Sequence, residues 1–131
     1  MGQLLTTMTK QQKVGLQGED LAARYLLDKG YRIIDRNWRF SRAEIDIIAF
    51  HGDLLVFVEV KTRSYDYYGP PEAFVDEKKE ALMADAAYRF IDHIDHQGEV
   101  RFDIVSILLH DSAKPVIEHF VDAFFPGLES D

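Results

Sequence analysis

Four side chains in the middle of this chain have the types and spacing of a reaction centre: Glu44, Asp46, Glu59 and Lys61. They lie in two β-rich runs, Glu44 to Phe50 and Leu54 to Thr62, separated by His51, Gly52 and Asp53. A two-residue turn with glycine first, as a type II′ turn prefers, pairs His51 with Leu54. Continued along the hairpin, that register sets Asp46 opposite Glu59 and Glu44 opposite Lys61. All four then share one face, because strand side chains alternate. Ile45, Ile47, Val58 and Val60 fall on the other face, as core. Two carboxylates about 5 Å apart at Cβ repel unless something positive lies between them. A divalent ion meets that need. Carboxylate oxygens suit hard ions such as Mg²⁺ or Mn²⁺, which keep waters for chemistry. Lys61 is placed to polarise an attacking water or to stabilise charge developing on a phosphate. The competing reading is a solvated charged face on which Glu44 and Lys61 form a cross-strand ion pair.

Two further residues come from the elements that must position this hairpin. From Val14 to Lys29 apolar residues recur at helical spacing, and Gly30 follows as a helix C-cap should. Glu19 lies on the stripe of that helix defined by Gly15, Ala22 and Leu26, where an apolar residue is expected. A second helix is predicted from about Asp76 to Ile94, with Leu82, Met83, Ala86, Ala87, Phe90, Ile91 and Ile94 in one stripe. Lys79 stands on its inward edge. Polar groups on core-facing stripes need partners, and a shared metal and phosphate site supplies them; a charge snorkelling from a helix end is the alternative. Tyr31 to Trp38, Val100 to Leu109 and Val116 to Val121 read as further strands, and Tyr65 to Glu72 as a loop. The predicted order is α-β-β-β-α-β-β in one α/β domain over residues 14–122, after a mobile arm (1–13) and before a tail (123–131).

Bulk properties bound the function. The 131 residues, 47% of them hydrophobic, suffice for one core. The absence of cysteine excludes disulfides, thiolate metal sites and thiol nucleophiles. With no long apolar run and no basic-then-apolar leader, a cytoplasmic protein without membrane contact is expected. A net charge of −8 argues against a nucleic-acid footprint. The acidity is uneven, however: Lys29 to Arg63 carries a net +2 and Ser64 to Asp131 a net −10.

The blocks GEDLAARYLLDKGYRIIDRNWR, AEIDIIAFHGDLLVFVEVKTR, YYGPPEAFVDEKK and RFDIVSI resemble, in order and spacing, the bacterial UPF0102 (YraN-like) family. That family looks like a branch of the PD-(D/E)XK nuclease superfamily, related in fold to archaeal Holliday-junction resolvases. The resemblance implies a restriction-endonuclease-like domain, with a mixed central sheet flanked by helices. It implies that Asp46 and Glu59 are metal-binding carboxylates, Lys61 the catalytic lysine and Glu19 an additional acidic site residue. Glu44 fits the family's acidic block in a supporting role, although Ala43 replaces the usual glycine before it. Lys79 is favoured over Lys78 as the helix-two lysine, and Arg63 and Tyr68 as phosphate or base contacts. The implied activity is a Mg²⁺- or Mn²⁺-dependent endonuclease acting on DNA, with a homodimer required for a two-fold junction. Two alternatives stay open: an inactive nucleic-acid-binding module, and an acidic protein-interaction domain. His93 and His96, i and i+3 near a helix end, could chelate an ion, but such pairs are more often solvated ends suited to the dipole.

Overall fold

A computed structural model describes residues 7–64 and 77–123. They run α1 (Lys10–Asp28), β1 (Arg32–Phe40), β2 (Ala43–His51), β3 (Leu54–Ser64), α2 (Glu77–Ile94), β4 (Val100–Leu109) and β5 (Val116–Phe120). Helix α1 begins four residues before the periodicity predicts. The reason is a capping box: Gln12 N–H donates to Thr9 Oγ1 (3.1 Å) and Thr9 N–H to Gln12 Oε1 (2.9 Å). Lys10 to Lys13, expected in the arm, are therefore helical. At the other end Gly30 adopts φ +91°, and the N–H groups of Gly30 and Tyr31 return to the carbonyls of Leu27 and Leu26, a Schellman closure.

The five strands form one sheet in the order β1-β2-β3-β4-β5. Only β3 and β4 are parallel, and that pairing needs a crossover, which α2 supplies. The β2–β3 hairpin turns at Gly52 (φ +63°) with His51 paired to Leu54, the register the turn predicts. Helices cover both faces. Ala22 and Leu26 of α1 pack with Ile47, Val56, Val58 and Val105, whereas Met83, Ala86 and Phe90 of α2 pack with Ile45, Ile48, Phe57 and Ile104. The expected common face of Ile45, Ile47, Val58 and Val60 is thus broken at Ile45, which lies under α2 while the other three lie under α1. Helix α1 approaches β3 so closely that a Cβ on Gly18 would sit 1.9 Å from Thr62 Oγ1.

Candidate metal centre

The β2–β3 ladder is regular from the turn to Ile47↔Val58 and stops one step before Asp46 and Glu59. β3 continues without irregularity beside β4, in register to Ser64↔Leu109. β2 therefore leaves β3 at a fork, and Asp46 occupies it. Its Oδ2 accepts the Val60 N–H at 2.7 Å, replacing the backbone acceptor that the departing strand withdraws. Two clefts open beside Asp46. One, of about 700 Å³, runs along α1 and also meets Glu19, Asn37, Arg39 and Lys61. The other, of about 310 Å³, meets Glu59, Arg42, Glu44 and Lys79 on the α2 side.

The two carboxyl groups meet at the fork. Burial pushes the Asp46 carboxyl from its usual 3.8 up to about 9. The adjoining Glu59 carboxyl adds to this by hydrogen bond and by charge, the Val60 N–H opposes it, and the charge of Glu19 raises it further. Glu59 is 5% exposed, and its Oε2 has no hydrogen-bond donor even though Lys79 Nζ lies 2.6 Å away. Two adjoining carboxyls, one buried against Lys79 Nζ and one raised by burial and by its neighbour, are oxygen donors of the type that suits a hard cation. Among the described residues no three His, Cys, Asp or Glu side chains group to hold a metal. Asp46 and Glu59 are the residues that could hold an ion such as Mg²⁺, which takes one or two carboxylates and completes its shell with water and phosphate.

The remaining site residues of the sequence reading are placed as follows. Glu19, 13% exposed, accepts Arg36 Nε (3.2 Å), Arg36 Nη2 (2.9 Å) and Asn37 Nδ2 (3.0 Å) through Oε1, and it lines the α1-side cleft with Asp46. Lys61 lies two residues beyond Glu59 on β3 and lines that same cleft. Lys79 reaches Glu59 from α2, and Lys78 is exposed. Arg63 lies near the end of β3, in register with Leu108. Glu44 does not face Lys61: the ladder has ended, so Glu44 pairs across to β1, where its Oε2 accepts Arg39 Nε at 3.1 Å. Tyr68 and the Tyr65–Glu72 loop lie outside the described residues. His93 and His96 point to different partners, His93 toward Trp38 and Phe90, His96 toward Phe50 and the Glu99 carbonyl, so they do not form a chelate.

Sequence reasoning missed Arg36 and Asn37, the residues that hold Glu19. A weak signal existed: asparagine inside a strand tolerates a left-handed backbone, and Asn37 has φ +57°. Arg101 and Asp103 form a second acidic centre, away from the clefts. Asp103 is fully buried and receives Arg101 Nε and Nη2 (both 2.8 Å), His119 Nε2 (2.8 Å) and the Asp122 N–H (3.0 Å). Burial alone would raise this carboxyl, but the His119, Arg101 and Asp122 donors outweigh it and hold it below its usual 3.8.

Comparison with known proteins gives this arrangement a family. A UPF0102 protein of Rhodococcus jostii is 48% identical over 112 residues, spanning 85% of this chain and 95% of the relative. UPF0102 proteins of Flavobacterium psychrophilum and Chlorobaculum tepidum are each 42% identical, spanning 90% and 92% of this chain and 98% of each relative. The model of Uncharacterised protein family UPF0102 matches residues 18–107, a span that includes Glu19, Asp46, Glu59, Lys61 and Lys79. On these matches the chain belongs to the UPF0102 family.

Proposed function

We propose that this protein is a divalent-metal-dependent endonuclease of the PD-(D/E)XK type that hydrolyses phosphodiester bonds in DNA. One observation carries the reading: at the fork between β2 and β3, the buried Glu59 carboxyl and the partly buried Asp46 carboxyl lie together beside Lys79 and open to clefts on both sides. Asp103, by contrast, is held by Arg101 and His119 and opens to neither cleft. Asp46 and Glu59 would hold Mg²⁺ or Mn²⁺, and the ion would supply Lewis-acid polarisation of the phosphate and a water made nucleophilic at neutral pH.

The chain's own residues then have separate tasks. Asp46 is fixed by the Val60 N–H and lines both clefts. Lys61, on the rigid edge where β3 is ladder-bonded to β4, lies where positive charge can meet the phosphoryl oxygens as charge builds on them. Glu19 contributes negative charge from α1. Arg39 and Lys61 on one cleft, and Arg42 and Lys79 on the other, stand among the acids of the site, so a phosphate backbone would meet cations here despite the net charge of −8. No described helix is long and apolar enough to cross a membrane. A cytoplasmic location, and a homodimer when the substrate is a two-fold junction, belong to the same proposal.

The test is cleavage of labelled duplex, single-stranded, flap and four-way-junction DNA with Mg²⁺ or Mn²⁺, comparing wild type with Glu59→Ala and Lys61→Ala. Metal-dependent cutting that both substitutions abolish is the expected result. Binding of the same DNAs without cutting, unchanged by Glu59→Ala, would favour the inactive module.

A further inference from the structure

We propose that Asn37 is a positioning residue for the Asp46–Glu59 site, acting through its left-handed backbone. β1 and β2 are paired on both sides of Asn37, at Arg36↔Ile47 and Trp38↔Ile45. Arg36 bonds Glu19 of α1 and Ile47 packs under α1, but Trp38 and Ile45 both pack under α2. Residues two apart on a regular strand share a face. Both strands therefore change face within a single step, and that step holds Asn37 on one strand and Asp46 on the other.

The cause lies on β1. Asn37 has φ +57°, a left-handed conformation that most L-residues resist and that asparagine and glycine accept. β2, hydrogen-bonded to β1 on both sides of the step, turns with it. β3 does not turn: Phe57 faces α2, Val58 faces α1, and Glu59 meets Lys79 of α2. The left-handed residue on β1 thus separates β2 from β3 after Ile47↔Val58 and swings Asp46 into the gap, where it takes the Val60 N–H and meets Glu59. The Asn37 amide, donating to Glu19 at 3.0 Å, brings the third acid toward the same cleft.

The Val60 amide reports this geometry without metal. In ¹⁵N-labelled protein with chelator, its proton should be downfield and slow to exchange in wild type and in Asn37→Gly, which keeps the left-handed backbone. It should lose both properties in Asn37→Val, or in Asn37→Ala if valine prevents folding. Mn²⁺ titration should place glycine within threefold of wild-type affinity and valine or alanine at least tenfold weaker. Rescue by glycine is the mark of a backbone role. A protected Val60 proton in the valine or alanine variant would overturn the proposal, as would its loss in the glycine variant. The affinity comparison rests on the nuclease reading: if wild type takes up no Mn²⁺, that reading fails, while the Val60 signal still decides the role of Asn37.

Discussion

Replacing Asp46 with asparagine should make the metal-free protein more stable. The fold holds the Asp46 carboxyl protonated, with burial and the Glu59 carboxyl pushing it to about 9, whereas in the unfolded chain it ionises near 3.8. A group whose folded value is raised gives its full stability below the unfolded value, and loses it as pH climbs toward the folded one. At pH 7 the fold must keep a proton that the unfolded chain releases across about three pH units. At roughly 1.36 kcal/mol per unit this costs about 4 kcal/mol at most. Both flanking clefts admit water, and screening there reduces the cost to ~2 kcal/mol. Asparagine removes the cost and keeps the contacts, since Oδ1 can accept the Val60 N–H and Nδ2 can donate to Glu59. Thermal unfolding followed by circular dichroism in EDTA should show Asp46→Asn melting about 8 °C above wild type at pH 7, for a chain of this size. The gap should widen toward pH 8 and close near pH 4. A variant less stable than wild type at pH 7, or an offset constant with pH, would refute the reasoning.

Mn²⁺ should stabilise wild type but not Asp46→Asn, and its affinity should rise about tenfold per pH unit below pH 8, because binding displaces one proton; calorimetry in two buffers of different ionisation enthalpy measures that proton. Gly18→Ala should cost about 3 kcal/mol in chemical denaturation, because the new Cβ meets the branched Thr62 side chain at 1.9–2.6 Å, and Thr62→Ala on that background should recover part of the loss. Asp103→Asn should lose about 3 kcal/mol at pH 7 by leaving half-buried Arg101 without its counter-ion. The Asp103 carboxyl is held below 3.8, so its contribution is present above that pH and lost below it. The difference between Asp103→Asn and wild type should therefore shrink under pH 4 in acid-denaturation curves.

What could be read from the residues followed from signals that are local in the chain. The β2–β3 turn, the Gly30 cap and the apolar stripe of α2 each depend on neighbours a few positions away, and each is present. The early start of α1 was also local, written in Thr9 and Gln12, but periodicity alone does not register a capping box. The Glu44–Lys61 alignment failed for a different reason. A hairpin register can be extended from its turn only while both strands stay regular, and β2 is made irregular by Asn37, a residue on another strand. Glu19 stood out as an acid on an apolar stripe, but its partners Arg36 and Asn37 depend on β1 passing beside α1, a tertiary fact. Tertiary placement also decides that Lys79 meets Glu59.

Asp103 and Asp46 show how the same residue type serves opposite ends in one sheet. Asp103 receives four donors, two of them from a guanidinium, and is held ionised. It ties β4 to β5 and to the turn after β5 at Asp122, and such satisfied networks favour a single arrangement. Asp46 receives one backbone N–H and a second carboxyl, so it can be buried only by keeping a proton. The contrast is not forced by a lack of cations. Arg36 lies on the strand beside Asp46, but its guanidinium bonds Glu19 and Asp20 instead. Arg39 likewise bonds Glu44. Arg36 and Arg39 are thus committed to the outer acids, and of the fork's two carboxyls it is Glu59 that meets a cation, Lys79. Lys79 meets Glu59 from α2, but Asp46, raised by burial and by Glu59, keeps an unfavourable environment that a structural aspartate such as Asp103 does not have.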